Sequence, residues 1–315
     1  MKAPLLQQNT VEAKANGGSG LDSALKPRLR RRSVFEFGAW VAFVLLAAGV
    51  LFSVSTNPNF KWDVVAKYFT HESILRGLML TIFLTIASMA MGTLLGLGLA
   101  VMRASTIKPL AATAAVYITI FRGTPVLVQL IFWFNIAALY PNLTIGIPFT
   151  DIGTAIDVNA LMGPITAALV GLTLNEAAYM AEIIRGGFSA VGKGQIEAAD
   201  SLGMSGAMKM RKVIIPQAMP SIIPATGNQV IGMFKETSLV SVLGVAELLQ
   251  SAQLIYARTY ETIPLLIVAS LWYLVMTLLL SYPQSKLEEK YSHTSARIPR
   301  KSRKVQLTAP EGIAR

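Results

Sequence analysis

The chain has no cysteine and only two histidines, His71 and His293, far apart and outside every apolar run. Disulfides, thiolate metal sites and cysteine nucleophiles are therefore excluded. A histidine-based metal site or a serine–histidine pair lacks partners as well, so no catalytic residue and no metal ligand is assigned. Charge is scarce: Asp, Glu, Lys and Arg make up 14% of the 315 residues, where a soluble domain carries about 25%. With 53% hydrophobic residues the chain is an integral membrane protein, with lipid as the solvent for most of its surface. Negative charge is the scarcer sign, with 17 acidic residues against 28 Lys and Arg and a net charge of +11. In a membrane protein this excess marks the basic ends of spans rather than a nucleic-acid footprint.

Residues 1–34 are polar, with Gly-Gly-Ser-Gly at 17–20 and the basic run "KPRLRRR" at 26–32, and read as a disordered cytoplasmic tail. An extra N-terminal transmembrane helix is expected over 35–57, too long and too far from the start to be a cleaved signal. Further apolar runs follow near 77–102, 109–140, 161–184, 221–245 and 262–282, which makes six candidate spans. The segments 56–75, 141–160 and 246–261 hold only Lys61, Lys67 and Arg258 among acidic Asp63, Glu72, Asp151, Asp157, Glu247 and Glu261. The remaining Lys and Arg fall mostly on the other side, which puts both termini and the polar segment 185–220 in the cytoplasm. The basic tail 286–315, with "RIPRKSRK" at 297–304, then lies near anionic lipid.

Arg122 interrupts the third run in "FRGTPVLVQ". An arginine at mid-bilayer costs about 2.5–3.5 kcal/mol on insertion scales. Two arrangements are open. In one, Gly123 permits a bend, Thr124 caps, Pro125 opens a new helix, and Arg122 sits at headgroup level after an interfacial stretch from 109 to 121. In the other, one long tilted helix carries Arg122 into the bundle interior.

The segment 185–220 is the least ordinary part of the chain. Helical residues over 195–202 end at Gly203, placed as a left-handed C′ glycine. Ser205 can cap a second short helix through Lys212, and Pro216 and Pro220 punctuate entry into the next span. Ala198, Ala199 and Leu202 form a small apolar patch beside Glu197 and Asp200. "GFSAVGKG" at 187–194 nearly completes a phosphate-binding loop, but Gly194 stands where the hydroxyl for magnesium belongs and no buried strand precedes it.

"EAADSLG" (197–203), nine residues and then "VIIP" (213–216) resembles the EAA signature of bacterial ABC importer permeases, with Val213 and Ile215 where that pattern prefers Ile and Leu. "YITIFRGTPVLVQLIFWF", "LNEAAYMAEIIRGGFSAVGKGQIEAADSLGM" and "IIPQAMPSIIPATGNQVIGMFKETSLVSVLGVAEL" are similar to its polar amino-acid (histidine/glutamine/arginine/opine-type) subfamily over roughly 75–285. The resemblance implies an all-α polytopic transmembrane bundle of the type I importer kind. It implies that Glu197, Ala198, Ala199, Leu202 and Gly203 form a coupling helix that docks on a cytoplasmic ATPase dimer. It also implies a second permease subunit (identical or paralogous), an extracytoplasmic solute-binding protein, and a place in the bacterial inner membrane. The chain itself would bind no cofactor, ATP and Mg being used by the partner subunit.

Ionisable residues inside spans are candidates for the solute path. Asn175 and Glu176 lie about 21–23 Å along the fourth span, and Lys235 and Glu236 about as far along the fifth. Asn175, Tyr179 and Glu182 share a helix face, Glu182 can pair with Arg185, Asn228 shares a face with Lys235, and Gln229 with Glu236. Asn175, Glu176, Tyr179, Gln229 and Glu236 are taken as path candidates. Arg122, Gly123, Pro125, Glu182, Arg185, Pro216, Asn228 and Lys235 are taken as structural or gating residues. Acidic residues on the path favour a cationic solute. The competing class, an ion-driven secondary transporter, often shows two similar halves; no repeat relates 37–140 to 161–282.

Overall fold

The computed structural model describes residues 19–146 and 153–295, with side chains over 35–143 and 154–291. Residues 1–18, 147–152 and 296–315, and with them Asp151 and the basic stretch 297–304, lie outside the described residues. The chain divides into two units, 1–61 and 62–315.

The first unit is helix α1 (Ser19–Thr56) followed by a 3-10 turn at Pro58–Phe60. Its stretch Phe35–Thr56 is long and apolar enough to cross a membrane. Helix replaces the expected disorder over 19–34. That segment carries three leucines and four arginines, which are good helix formers, and it extends an apolar helix instead of nucleating its own.

The second unit opens with α2 (Trp62–Phe69) and α3 (Glu72–Arg103). Next come α4 (Lys108–Gly123) and α5 (Val126–Phe134), joined at a bend of 104°. A hairpin of β1 (Asn142–Gly146) and β2 (Gly153–Asp157), antiparallel with Asn142 opposite Asp157, leads through α6 (Val158–Leu161) into α7 (Pro164–Ser189). The β-branched residues Thr144, Ile145, Thr154 and Ile156 suit strands, and Asp157 caps α6 by accepting from the Asn159 N–H. This hairpin is the one departure from an all-helical reading among the described residues.

The polar segment then forms α8 (Lys193–Ser201) and α9 (Gly206–Lys209), followed by a π turn at Met210–Ile214 and α10 (Ile215–Glu236). A 3-10 run at Thr237–Leu243 leads to α11 (Leu248–Thr259), and α12 (Thr262–Ser295) closes the unit. Four helices are long and apolar enough to cross a membrane, and the two bent pairs, α4 with α5 and the α9–α10 helix with α11, bring the total to six. The six expected spans thus have their counterparts. One long tilted third span does not occur, because the chain turns at Thr124–Pro125.

Two apolar cores hold the bundle. Leu84, Leu130, Ala168, Leu172, Met180 and Met233 join α3, α5, α7 and α10; Val65, Ile74, Phe234, Leu248, Leu265 and Val268 join α2, α3, α10, α11 and α12. Close approach of α3 and α7 depends on Gly92 and Gly96. A Cβ on Gly92 would stand 2.7 Å from Glu176 Cγ, and one on Gly96 2.7 Å from Met180 Cβ. The two helices therefore run in the same direction in a small-xxx-small packing that only these glycines permit.

Pro216 and Pro220 do not stop the helix, contrary to their expected role as punctuation, and neither does Pro224. The π turn at Met210–Ile214 sits on the turn that the Pro216 ring would otherwise strike, and α10 carries Pro220 and Pro224 within it. The C-terminal end differs as well. Helix α12 runs on to Ser295, past both the expected span end at 282 and the start of the expected tail at 286. In this extension Glu288 Oε1 accepts from Asn228 Nδ2 at 3.2 Å, binding α12 to α10, and from Gln284 Nε2 of its own helix at 2.9 Å.

Candidate functional site

Three groups of predicted residues are brought together at distinct places. The first is the segment 193–214. Helix α8 ends in a complete Schellman motif. Gly203, at φ +66°, donates its N–H to the Asp200 carbonyl at 2.9 Å, and Met204 donates to Ala199 at 3.1 Å. Ser205 then caps α9 by accepting from the Met208 N–H, as its position after the glycine turn suggests. An Asp200–Lys209 ion pair at 2.6 Å fixes α8 against α9. Ala199 is turned inward and 3% exposed, so it anchors the helix and does not belong to a surface patch with Ala198 and Leu202. Glu197 and Ala198 are exposed, and Leu202 is 80% exposed at the tip of the turn.

The second group surrounds the elbow between α4 and α5. Asn175, Tyr179 and Glu182, on one face of α7, each reach a different part of it. Asn175 Nδ2 donates to the Phe121 carbonyl at 3.0 Å and to Gln129 Oε1 at 3.2 Å. The Arg122 guanidinium lies 5.4 Å from the centre of the Tyr179 ring, and Arg122 Nη1 is 3.6 Å from Glu182 Oε2. Arg185 grips the same carboxylate with two bonds, Nε to Oε1 at 2.9 Å and Nη2 to Oε2 at 2.7 Å, which realises the expected pair. Thr124 is not the N-cap of α5; Pro125 holds that position, and the Thr124 hydroxyl bonds back to the Ile120 carbonyl. Buried Gln129 serves the other side of the elbow, donating to the Phe121 and Thr124 carbonyls and to Thr124 Oγ1 at 2.8–3.1 Å. The C-terminal end of α4 leaves carbonyls without intrahelical donors, and Asn175 and Gln129 supply donors for those of Phe121 and Thr124.

The third group lies where α7 meets α3 and α10. Glu176 is fully buried, with Oε2 accepting from Gln229 Nε2 at 2.9 Å. Glu236 is half-buried two turns further along α10 from Gln229, while Lys235 and Asn228 are exposed. Asn228 and Lys235 are thus separated in role, the former tied to α12 through Glu288 and the latter turned outward.

Sequence reasoning missed two features. Glu247, read only as an outer-loop acid, is fully buried and caps α11 by accepting from the N–H groups of Leu249 (2.9 Å) and Gln250 (2.8 Å). It also accepts from Tyr273 Oη at 2.9 Å and Thr81 Oγ1 at 3.4 Å, and Thr81 in turn accepts from the Leu248 N–H. One carboxylate therefore ties together α3, α11 and α12. The available signal was an acid directly before the helical stretch "LLQSAQLIY". The second is the "GTLLG" pattern at 92–96, a motif for close helix contact in lipid.

Comparison with known proteins places this architecture. Residues 92–292 match the family described as "Binding-protein-dependent transport system inner membrane component". An arginine transport system permease protein of Corynebacterium glutamicum is 39% identical over 301 residues, covering 94% of each chain. An octopine transport system permease protein of Rhizobium radiobacter is 36% identical over 225 residues, 71% of this chain and 86% of that one. Among solved structures, that of an amino acid ABC transporter with histidines matches with a TM-score of 0.59 at 42% identity, covering 69% of this chain and 94% of the other. The chain belongs to the family of inner-membrane permease components of binding-protein-dependent ABC transport systems.

Proposed function

We propose that this chain is the permease subunit of an ATP-driven importer of polar or charged amino acids, or opine-like derivatives. It works as a dimer with itself or a paralogue, by alternating access. An extracytoplasmic binding protein delivers the solute, and two cytoplasmic ATPase subunits use ATP and Mg; the chain binds no cofactor of its own. Both termini and the segment 185–220 face the cytoplasm, a reading supported by the distribution of Lys and Arg.

The observation that carries the proposal is the rigid, exposed tip of α8. Leu202, 80% exposed, stands with exposed Glu197 and Ala198 on a turn fixed by a Schellman motif and an ion pair, which presents an apolar side chain in a fixed place for a partner to cover. Glu197, Ala198, Leu202 and Gly203 form the docking surface, and Ala199 roots it in the permease. On the solute path the geometry favours Glu176, Gln229 and Glu236 over Asn175 and Tyr179, whose amide and ring serve the elbow.

The test is recovery of the ATPase with the permease in mild detergent. Burying a leucine contributes about 1.5–3 kcal/mol, so Leu202→Asp should weaken association by about ten- to a hundredfold. Its melting temperature should not change, since the side chain is exposed. Gly203→Asp should weaken association too, by straining the left-handed turn. An ATPase that still copurifies with both variants at the wild-type ratio, or transport by the permease alone without ATP, refutes the proposal.

A further inference from the structure

Three buried side-chain oxygens in the α3–α7 region have no hydrogen-bond partner among the described residues: Ser88 Oγ, Thr173 Oγ1 and Glu176 Oε1. All three residues are at most 6% exposed. The two hydroxyls are exceptions to local habit. Thr85, Thr119, Thr124, Ser189 and Thr226 each satisfy their hydroxyl on the carbonyl four residues back, as helical Ser and Thr commonly do. Ser88 and Thr173 leave that bond unmade.

Their position follows from the helix register. Gly92 packs on Glu176 and Gly96 on Met180, with α3 and α7 running in the same direction. Ser88 lies one turn before Gly92, and Thr173 one turn before Glu176 and Ala177. The register therefore places the two hydroxyls at the same level of the interface, within about one helical turn of Glu176. Gln229 holds Oε2 from α10, so the orientation of the carboxyl group is fixed and Oε1 is the oxygen left over. The fourth buried orphan, Gln284 Oε1, belongs to the α10–α12 contact and is not part of this group.

Among the described residues no Lys or Arg side chain bonds to Glu176, and the charge that acts on it is that of another acid, Glu236. A carboxylate inside a span without a counter-charge is costly, and so is each buried hydroxyl without a partner. One occupant relieves all three. Hard oxygen donors suit an alkali cation or an ammonium group and not a soft transition metal. A single carboxylate also falls short of the charge that a divalent ion normally collects.

We propose that Ser88, Thr173 and Glu176, braced by Gln229, form a binding site for a desolvated monovalent cationic centre. The centre is either an alkali ion or the ammonium or guanidinium group of the transported solute. The second source rests on the function proposed above; the first does not.

The test is the melting temperature of the purified full-length permease in detergent, without ATPase or binding protein. It is followed in sodium, potassium or choline chloride at equal ionic strength, and in choline with added lysine or arginine. A rise of several degrees in one of these, relative to choline alone, is expected for wild type. It should be lost in Glu176→Gln and in the Ser88→Ala/Thr173→Val double variant, which keeps the carboxylate and so carries the test if Glu176→Gln does not fold. A response to sodium or potassium identifies an alkali ion. A response to lysine or arginine alone identifies the solute. Equal melting in every medium, or a shift that all variants retain, overturns the proposal and assigns the three oxygens to buried water. Because no coupling partner is present, failure here leaves the ATPase-association test untouched, and the reverse also holds.

Discussion

Glu176 and Glu247 are both fully buried carboxylates in a bundle of apolar helices, yet their surroundings differ in kind. Glu247 receives two backbone N–H groups, a phenol and a threonine hydroxyl, so both of its oxygens are in use. Glu176 has one donor, on one oxygen; its other oxygen, like the hydroxyls of Ser88 and Thr173 about one turn away, has no partner among the described residues. The first arrangement costs little and changes little: it is a joint. The second is costly as it stands, and such costs are kept in proteins where something other than stability is gained. A buried acid is therefore read by the donors it lacks.

Mutation can break this comparison. Glu247→Ala should have the largest effect, because it strands the Tyr273 hydroxyl and two backbone donors at about 1–3 kcal/mol each. Loss of the monodisperse peak on size exclusion in detergent would report it; an unchanged peak and melting curve would mean that Glu247 holds nothing. Gly92→Ala should come next. Its new methyl group would press on Glu176 from α3, and overpacking of this kind costs about 1–3 kcal/mol. Thermal unfolding checks it, and Gly98→Ala, where a Cβ meets nothing within 4 Å, is the control. Glu176→Gln should have the smallest effect on stability, within about 1 kcal/mol in choline buffer, because Gln keeps an acceptor for Gln229 and removes an uncompensated charge. Equal destabilisation by Glu176→Gln and Glu247→Gln would erase the distinction between site and joint.

Much of this was legible in the sequence, and the pattern of what was not is physical. Span positions follow from apolar length alone, so α3, α7 and α12 were placed to within a few residues at their starts. Gly203 was legible because a left-handed residue has few other candidates. The Glu182–Arg185 pair was legible because both ends lie on one helix turn. What depended on a second helix was not. Whether Asn175 faces a path or an elbow, and whether Glu247 lies in a loop or in the core, is decided by residues 46 positions away (Gln129) and 166 positions away (Thr81). The burial of Ala199 was hidden for a similar reason, since its neighbour Ala198 has the same side chain and only the packing of α8 separates them. The hairpin was missed because its β-branched residues stand next to apolar runs that dominate any count.

The unbroken course of the chain from Gly206 through the π turn to Glu236 has a mechanical consequence. A proline-bearing segment that ended at Pro216 would be a hinge, and force applied at Leu202 would dissipate there. Instead the turn that carries Leu202 is tied by the Asp200–Lys209 pair to the first turn of a continuous helical run about 45 Å long. A tilt of about 10° applied to such a rod would carry its far end, with Lys235 and Glu236, through about 8 Å. The amplitude of that swing is then set by length and angle, and slack in the linkage has no part in it.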